Sequence, residues 1–171
     1  VPDLFNCLNY SLSNDEGPTY IRMHSAPMPE YPHETNLKRN TSFYVCYSSG
    51  APDVVIAGNG LTLKGCIDAA LILEKEGISS RVINVLDRGS LDASFTKLLE
   101  KDKPLVTVYN GNENSLSFPI ANSVLFYGGE KPSKIVPHGF RIGTSGNLDD
   151  LIEYFKFNGE GISQIVRETL K

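Results

Sequence analysis

Short apolar runs alternate along this chain with longer stretches in which apolar residues recur every three or four positions. Val54, Val55, Ile56 and Ala57 form one such run, which stops at Gly58. A run that short, β-branched and closed by glycine fits a strand buried on both faces. Ile67, Ala70, Leu71 and Leu73 follow at near-helical spacing, with Lys64, Asp68, Glu74, Lys75 and Glu76 mostly elsewhere on the wheel and Gly77 as a stop. Val82, Ile83 and Val85 make a second apolar strand. Together these elements predict a βαβ unit with parallel strands and a right-handed crossover.

The alternation continues downstream. Leu91 to Glu100 predicts a helix through Leu91, Phe95, Leu98 and Leu99, and Leu105 to Tyr109 a third parallel strand. Asn110 to Asn114 reads as a loop. Ser117 to Tyr127 reads as a helix, with Pro119 placed in a first turn where proline is tolerated. A fourth strand is expected over Ser133–Pro137, then a glycine-rich loop from His138 to Gly146. Two helices close the chain, near Asn147–Phe155 and Gly161–Leu170. With Phe43–Tyr47 as a further short strand, strands alternating with helices predict an α/β/α layered domain over residues 41–171.

The first 40 residues read differently. Leu4, Leu8 and Leu12 recur at helical spacing from Asp3 to Ser13, with Asp3 as the expected cap. Asn14 to Pro18 is a turn, and Thr19 to Met23 a strand. This small piece has no partner elements with which to make a core, so it is expected to belong to something larger. Pro27, Pro29 and Pro32 mark residues 26–40 as an extended linker.

Composition narrows the class. Hydrophobic residues make up 40% and charged residues 21%, as in a soluble globular protein, and the formal net charge is −4. That balance argues against a nucleic-acid surface. No apolar run approaches the roughly 20 residues that cross a bilayer. Val1-Pro2-Asp3 opens no signal peptide, and the missing Met leaves room for an upstream part. Cys7, Cys46 and Cys66 are odd in number and widely spaced, which favours cytosolic thiols and a cytoplasmic location. His24, His33 and His138 lack metal-ligand spacing, so no metal site is expected.

Several features carry two readings. Gly58-Asn59-Gly60 lies between a strand and a helix, where a phosphate-binding turn sits, but Leu63 stands where GxGxxG needs glycine. A tight turn is the alternative. Gly139 to Gly146 can present backbone N–H groups to an anion, or Thr144, Ser145 and Asn147 can cap the next helix. Asp149 and Asp150 complement a helix dipole. No serine or cysteine is tied to a histidine and an acid, so no catalytic residue is assigned. Arg22 and His24, at a strand end, are candidates for substrate contact, with a solvated edge as the alternative.

The residues from Asp53 to Gly60, with Ala69-Ala70, Glu76-Gly-Ile78, Arg81 to Val85 and Ser90-Leu-Asp92, resemble the C-terminal domain of transketolases. They are similar also to the matching domains of 1-deoxyxylulose-5-phosphate synthase and of the pyruvate dehydrogenase E1 β subunit. Phe140 to Gly146, Tyr154 to Asn158 and Glu160-Gly-Ile162 resemble that family's later turns. Gly17 to Arg22 resembles the last strand of the preceding pyrimidine-binding domain, so the resemblance makes residues 1–25 the end of that domain. It implies a three-layer domain on a mostly parallel five-stranded sheet with one antiparallel strand, for which Phe43–Tyr47 is the candidate.

The functional implication is partly negative. The family holds thiamine diphosphate and a Mg or Ca ion between its diphosphate- and pyrimidine-binding domains, across a dimer interface. The motifs that do so are absent here, so this chain is expected to bind no cofactor alone. The resemblance implies the C-terminal portion of an enzyme transferring two-carbon ketol units between sugars. That portion is inert alone, supplies scaffold and dimer contacts, and needs the missing domains as partners. Other readings are a β-type subunit of a 2-oxo acid dehydrogenase and a non-catalytic interaction module. Two departures bear on this. Ser25, or His24 after a one-residue shift, stands where transketolases carry a phosphate-contacting arginine. Tyr109-Asn110 and Ser115 to Pro119 replace an acidic residue and a glycine-rich helix entry, which changes the surface offered to a partner.

Overall fold

The computed structural model describes residues 2–13, 17–20, 42–140, 143 and 145–171. The five strands β1 (Phe43–Ser48), β2 (Val54–Gly58), β3 (Ser80–Val85), β4 (Leu105–Asn112) and β5 (Ile135–Phe140) form one sheet in the order β1-β3-β2-β4-β5. β2, β3, β4 and β5 are parallel, and β1 runs antiparallel to β3 with a register shift between Val45 and Tyr47. The odd strand is thus the one expected. It lies at an edge, where an antiparallel strand needs no crossover.

The helices of this domain are α2 (Leu61–Lys75), α3 (Ala93–Thr96), α4 (Asn114–Tyr127), α5 (Leu148–Tyr154) and α6 (Gly159–Leu170). α1 (Pro2–Leu12) precedes them. Alternate strand residues face opposite ways, and the core divides accordingly. Val54, Ile56, Val82, Val106 and Val108 pack against α2 and α6 on one face. Val55, Ala57, Ile83, Val85 and Leu105 pack against α3 and α4 on the other. β2 is buried throughout, which is why its sequence is an unbroken apolar run rather than an alternation.

Within the sheet domain, four sequence expectations shift. The helix expected over Leu91–Glu100 contracts to the single turn of α3, where Asp92 accepts from the N–H groups of Ser94 and Phe95. β4 runs on through Asn110, Gly111 and Asn112, which are not loop. β5 likewise absorbs His138, Gly139 and Phe140. Gly139 serves a close approach: a Cβ there would lie 2.7 Å from both Gly111 O and Glu113 Cα. α4 starts at Asn114, so Pro119 falls inside the helix rather than in its first turn.

α5 keeps one of its expected caps: Asn147 accepts from Asp150 N at 3.0 Å. α6 starts at Gly159, ahead of the expected Gly161, with Asn158 accepting from Gly161 N at 2.8 Å. Asp149 and Asp150 occupy the first turn of α5. α1 begins at Pro2, which puts Asp3 inside the helix rather than at its cap. Leu4, Phe5 and Leu12 of α1 are exposed. Thr19 and Tyr20 belong to no strand, and the rest of that expected strand lies outside the described residues. No helix among the described residues is long and apolar enough to cross a membrane.

Candidate functional site

The connections from β2 and β4 leave the sheet toward opposite faces, α2 on one and α4 on the other. A parallel sheet opens a crevice at such a divergence, beyond the carboxyl ends of the strands. Here that end is built from Gly58, Asn59 and Gly60 on one side and from Tyr109 to Glu113 on the other.

The β2–α2 turn is tight for identifiable reasons. Gly60 has φ +48, in the left-handed region, and caps α2 without a side-chain hydrogen bond. A Cβ on Gly58 would come within 2.8 Å of Cys66 Sγ and 3.2 Å of Thr62 Oγ1. The Thr62 hydroxyl lies 3.0 Å from both Asn59 O and Val108 O, joining the turn to the end of β4. Close packing therefore accounts for these glycines without a phosphate.

Arg88, in the loop after β3, reaches the start of α4. Its Nη1 donates to Ser115 O at 3.0 Å, and its guanidinium lies 5.1 Å from the Tyr109 ring centre. Pro119 has no N–H to offer the carbonyl four residues earlier, which belongs to Ser115. Arg88 supplies the donor that the proline removes. The sequence reading gave Arg88 no role. The signal for it was Pro119 in a helical pattern, once the helix is known to begin five residues earlier.

The buried titratable groups are not activated. Burial pushes the Cys66 thiol well above its usual range, which disfavours the nucleophilic thiolate. His138 on β5 packs edge-on against Phe157, with ring centres 5.3 Å apart. Its Nε2 is buried without a partner among the described residues. Burial lowers its pKa, opposed by hydrogen bonds to the backbone of Phe155 and Lys156; the Lys156 charge lowers it further and Glu113 raises it.

A histidine depressed in the fold binds its proton more readily in the unfolded chain, whose value is near 6.5. Its contribution to stability is therefore complete above about pH 6.5 and is lost as pH falls toward the folded value. Denaturant midpoints measured across this range should fall on the acid side for the wild type. The decline should be shallower for His138→Phe. Equal slopes for the two proteins would remove His138 from the account.

Arg22, His24 and Ser25 lie outside the described residues. Part of the Gly139–Gly146 stretch lies outside them as well.

A doubly wound, three-layer α/β domain with its topological switch between β2 and β4 is the class these elements define. Within it, the family model for the transketolase C-terminal domain matches residues 44–162, and the chain belongs to that family. It is 23% identical over 160 residues to the transketolase of Mycoplasma genitalium, covering 92% of this chain and 24% of that protein. A stretch of 60 residues is 43% identical to the mitochondrial pyruvate dehydrogenase E1 component subunit beta of Dictyostelium discoideum, covering 34% of this chain and 17% of that one. The chain thus spans a quarter or less of the length of these relatives. Among solved structures, a split-gene transketolase described as an inactive beta4 tetramer superposes with TM-score 0.67 at 23% identity, covering 91% of this chain and 50% of that one.

The family implies thiamine diphosphate, whose diphosphate is held through a metal ion. Among the described residues no three His, Cys, Asp or Glu side chains come together as metal ligands. The donor set among the described residues does not fit that group.

Proposed function

We propose that this chain is the C-terminal portion of a transketolase-like, thiamine-diphosphate-dependent enzyme that transfers two-carbon ketol units between sugars. It supplies scaffold and dimer contacts and is inert alone. Residues 1–25 are the end of the pyrimidine-binding domain and residues 26–40 the linker, with Arg22 and His24 as candidates for substrate binding. The complete enzyme is cytoplasmic and carries the cofactor with Mg or Ca on the domains that precede this one. The observation that supports the reading best is the similarity to a transketolase over 92% of the chain, which reaches upstream of the match to residues 44–162.

The local similarity to an E1 β subunit favours a second reading, a β-type subunit of a 2-oxo acid dehydrogenase. One assay separates the two. The chain is combined with the diphosphate- and pyrimidine-binding domains from its source, thiamine diphosphate and Mg. Ketol transfer between sugar phosphates and oxidative decarboxylation of pyruvate by an artificial electron acceptor are then both measured. Ketol transfer by the mixture, and by neither part alone, is the expected result. Pyruvate turnover instead would select the second reading, and no turnover of either kind would leave a non-catalytic module.

A further inference from the structure

Among the helices of the domain, α5 alone buries none of its residues. It keeps to the sheet through Ile152 and Phe155, which pack against the core beside Phe140. The Phe155 ring centre lies 4.6 Å from that of Phe140 and 5.9 Å from that of Phe157. The turn that ends α5 is wound tight: Lys156 N donates to Glu153 O at 3.0 Å and Phe157 N to Ile152 O at 2.8 Å. That pairing usually sets a glycine after the helix. Lys156 stands there instead, with φ +56, in the left-handed region that costs a residue with a side chain free energy.

His138 stands against this turn. Its ring meets Phe157 edge-on and hydrogen-bonds to the backbone of Phe155 and Lys156. Nε2 is buried without a partner among the described residues, so those bonds fall to Nδ1. They favour the charged ring, so their backbone partners are carbonyls and the neutral ring carries its proton on Nδ1. A second proton must go to Nε2, where no acceptor waits and burial disfavours charge.

We propose that α5 and its closing turn, residues 148–156, form an acid-released flap: a proton taken up by His138 detaches them from β5 while the sheet stays folded. The charges around the ring give the release its direction. Lys156, on the flap, repels the cation, and Glu113, at the N-terminal cap of α4, attracts it. The neighbouring strand β4 has no charged residue, and its Tyr109 belongs to the other layer. On the helices of this layer, Lys64 and Asp68 pair with each other and Arg167 pairs with Glu76. Asp149, Asp150, Glu153 and Glu160 are exposed, where salt screens them. Opening also frees Lys156 from its left-handed conformation. It stops at Phe157, which is buried and whose carbonyl sits against Gly65 of α2.

Detached, His138 has its ordinary value near 6.5; docked, it lies lower. Detachment therefore takes up a proton. The detached fraction rises as pH falls below about 6.5, by at most about tenfold per pH unit.

The test is amide hydrogen exchange of the 171-residue chain, read by NMR as protection relative to free peptide at pH 7.5 and 5.5. The amides of Phe155, Lys156 and Phe157 should be protected at least about tenfold less than that of Val55 in β2, the mark of a local opening. Their protection should fall several-fold at pH 5.5, with about tenfold as the limit. His138→Phe keeps a ring in place and should abolish that fall. Lys156→Gly, which removes both the strain and the repelling charge, should raise protection several-fold at pH 5.5. Flap amides as well protected as Val55 overturn the inference. So does a fall of less than twofold in the wild type, a full fall retained by His138→Phe, or protection in Lys156→Gly no higher than in the wild type. The wild-type measurements decide the matter even where His138→Phe does not fold.

Discussion

Gly65→Ala should destabilise the domain by roughly 2–3 kcal/mol, although alanine is the better helix former. Gly65 lies inside α2, where replacing glycine by alanine gains about 1 kcal/mol when nothing else changes. Here the new Cβ would sit 1.9 Å from the backbone O of Phe157, 3.0 Å from its C and 3.1 Å from Ile162 Cδ1. The nearest obstacle is backbone, held in place by Phe157 N donating to Ile152 O at 2.8 Å. It cannot rotate away as a side chain would. α6 must move off α2, and that loosens Phe157, Ile162 and Val166, all buried in the same core. Overpacking of a close-packed interior costs about 1–3 kcal/mol and occasionally more, and backbone displacement belongs at the upper end. For a chain of this length, each kcal/mol moves the melting temperature by about 2–4 °C. Thermal or urea unfolding of the variant checks the prediction. A gain in stability would mean that the α2–α6 approach is wider than described.

Where sequence reading succeeded and where it did not follows from the physics of each stretch. The β2–α2–β3 unit was legible because a strand buried on both faces must be apolar without interruption, and Val54 to Ala57 is. The helix after Asn147 was legible because Asn147 caps with a side-chain oxygen, a local interaction visible in local sequence, and the last helix because Ile162, Ile165, Val166 and Leu170 keep helical spacing.

The misread stretches depend on distant neighbours. Gly111 and Gly139 looked like loop residues. Gly139 is in fact the strand position where β5 meets the backbone of Gly111 and Glu113, and nothing near it in sequence says so. The run from Leu91 to Leu99 has helical spacing, yet only Ala93–Thr96 is helical. Leu91, Phe95 and Leu99 all reach the core even so, and burial is what the spacing encoded. Pro119 was assigned to a first turn because interior proline is costly. Arg88 occupies the carbonyl that the proline leaves free. At the functional level, the family was legible from many short matches in the right order. The substrate-contact candidates Arg22 and His24 precede the domain that the structure describes.

Phe95→Ala should cost about 3–5 kcal/mol, the range for a large aromatic removed from a closed core. Phe95 is fully buried and meets Phe43 edge-on, with ring centres 5.1 Å apart and planes at 78°. It joins the shortest helix of the domain, α3, to the antiparallel edge strand β1. The rest of its surroundings come from β2, β3, β4 and α4 through Ala57, Val85, Leu105 and Leu116, all in the same cluster. Two effects then combine. The lost ring leaves a cavity that these neighbours fill only in part, and the aromatic pair adds about 0.5–1.5 kcal/mol beyond the area lost. Because β1 pairs with β3 alone, loss of Phe43's partner should also loosen that edge selectively. Amide hydrogen exchange should therefore quicken in β1 beyond the global change, while the central strand β2 follows global stability. Phe95→Leu keeps much of the volume and should cost well under half as much. A Phe95→Ala penalty near 1 kcal/mol, or uniform exchange across the sheet, would show that β1 does not depend on this contact for its place beside β3.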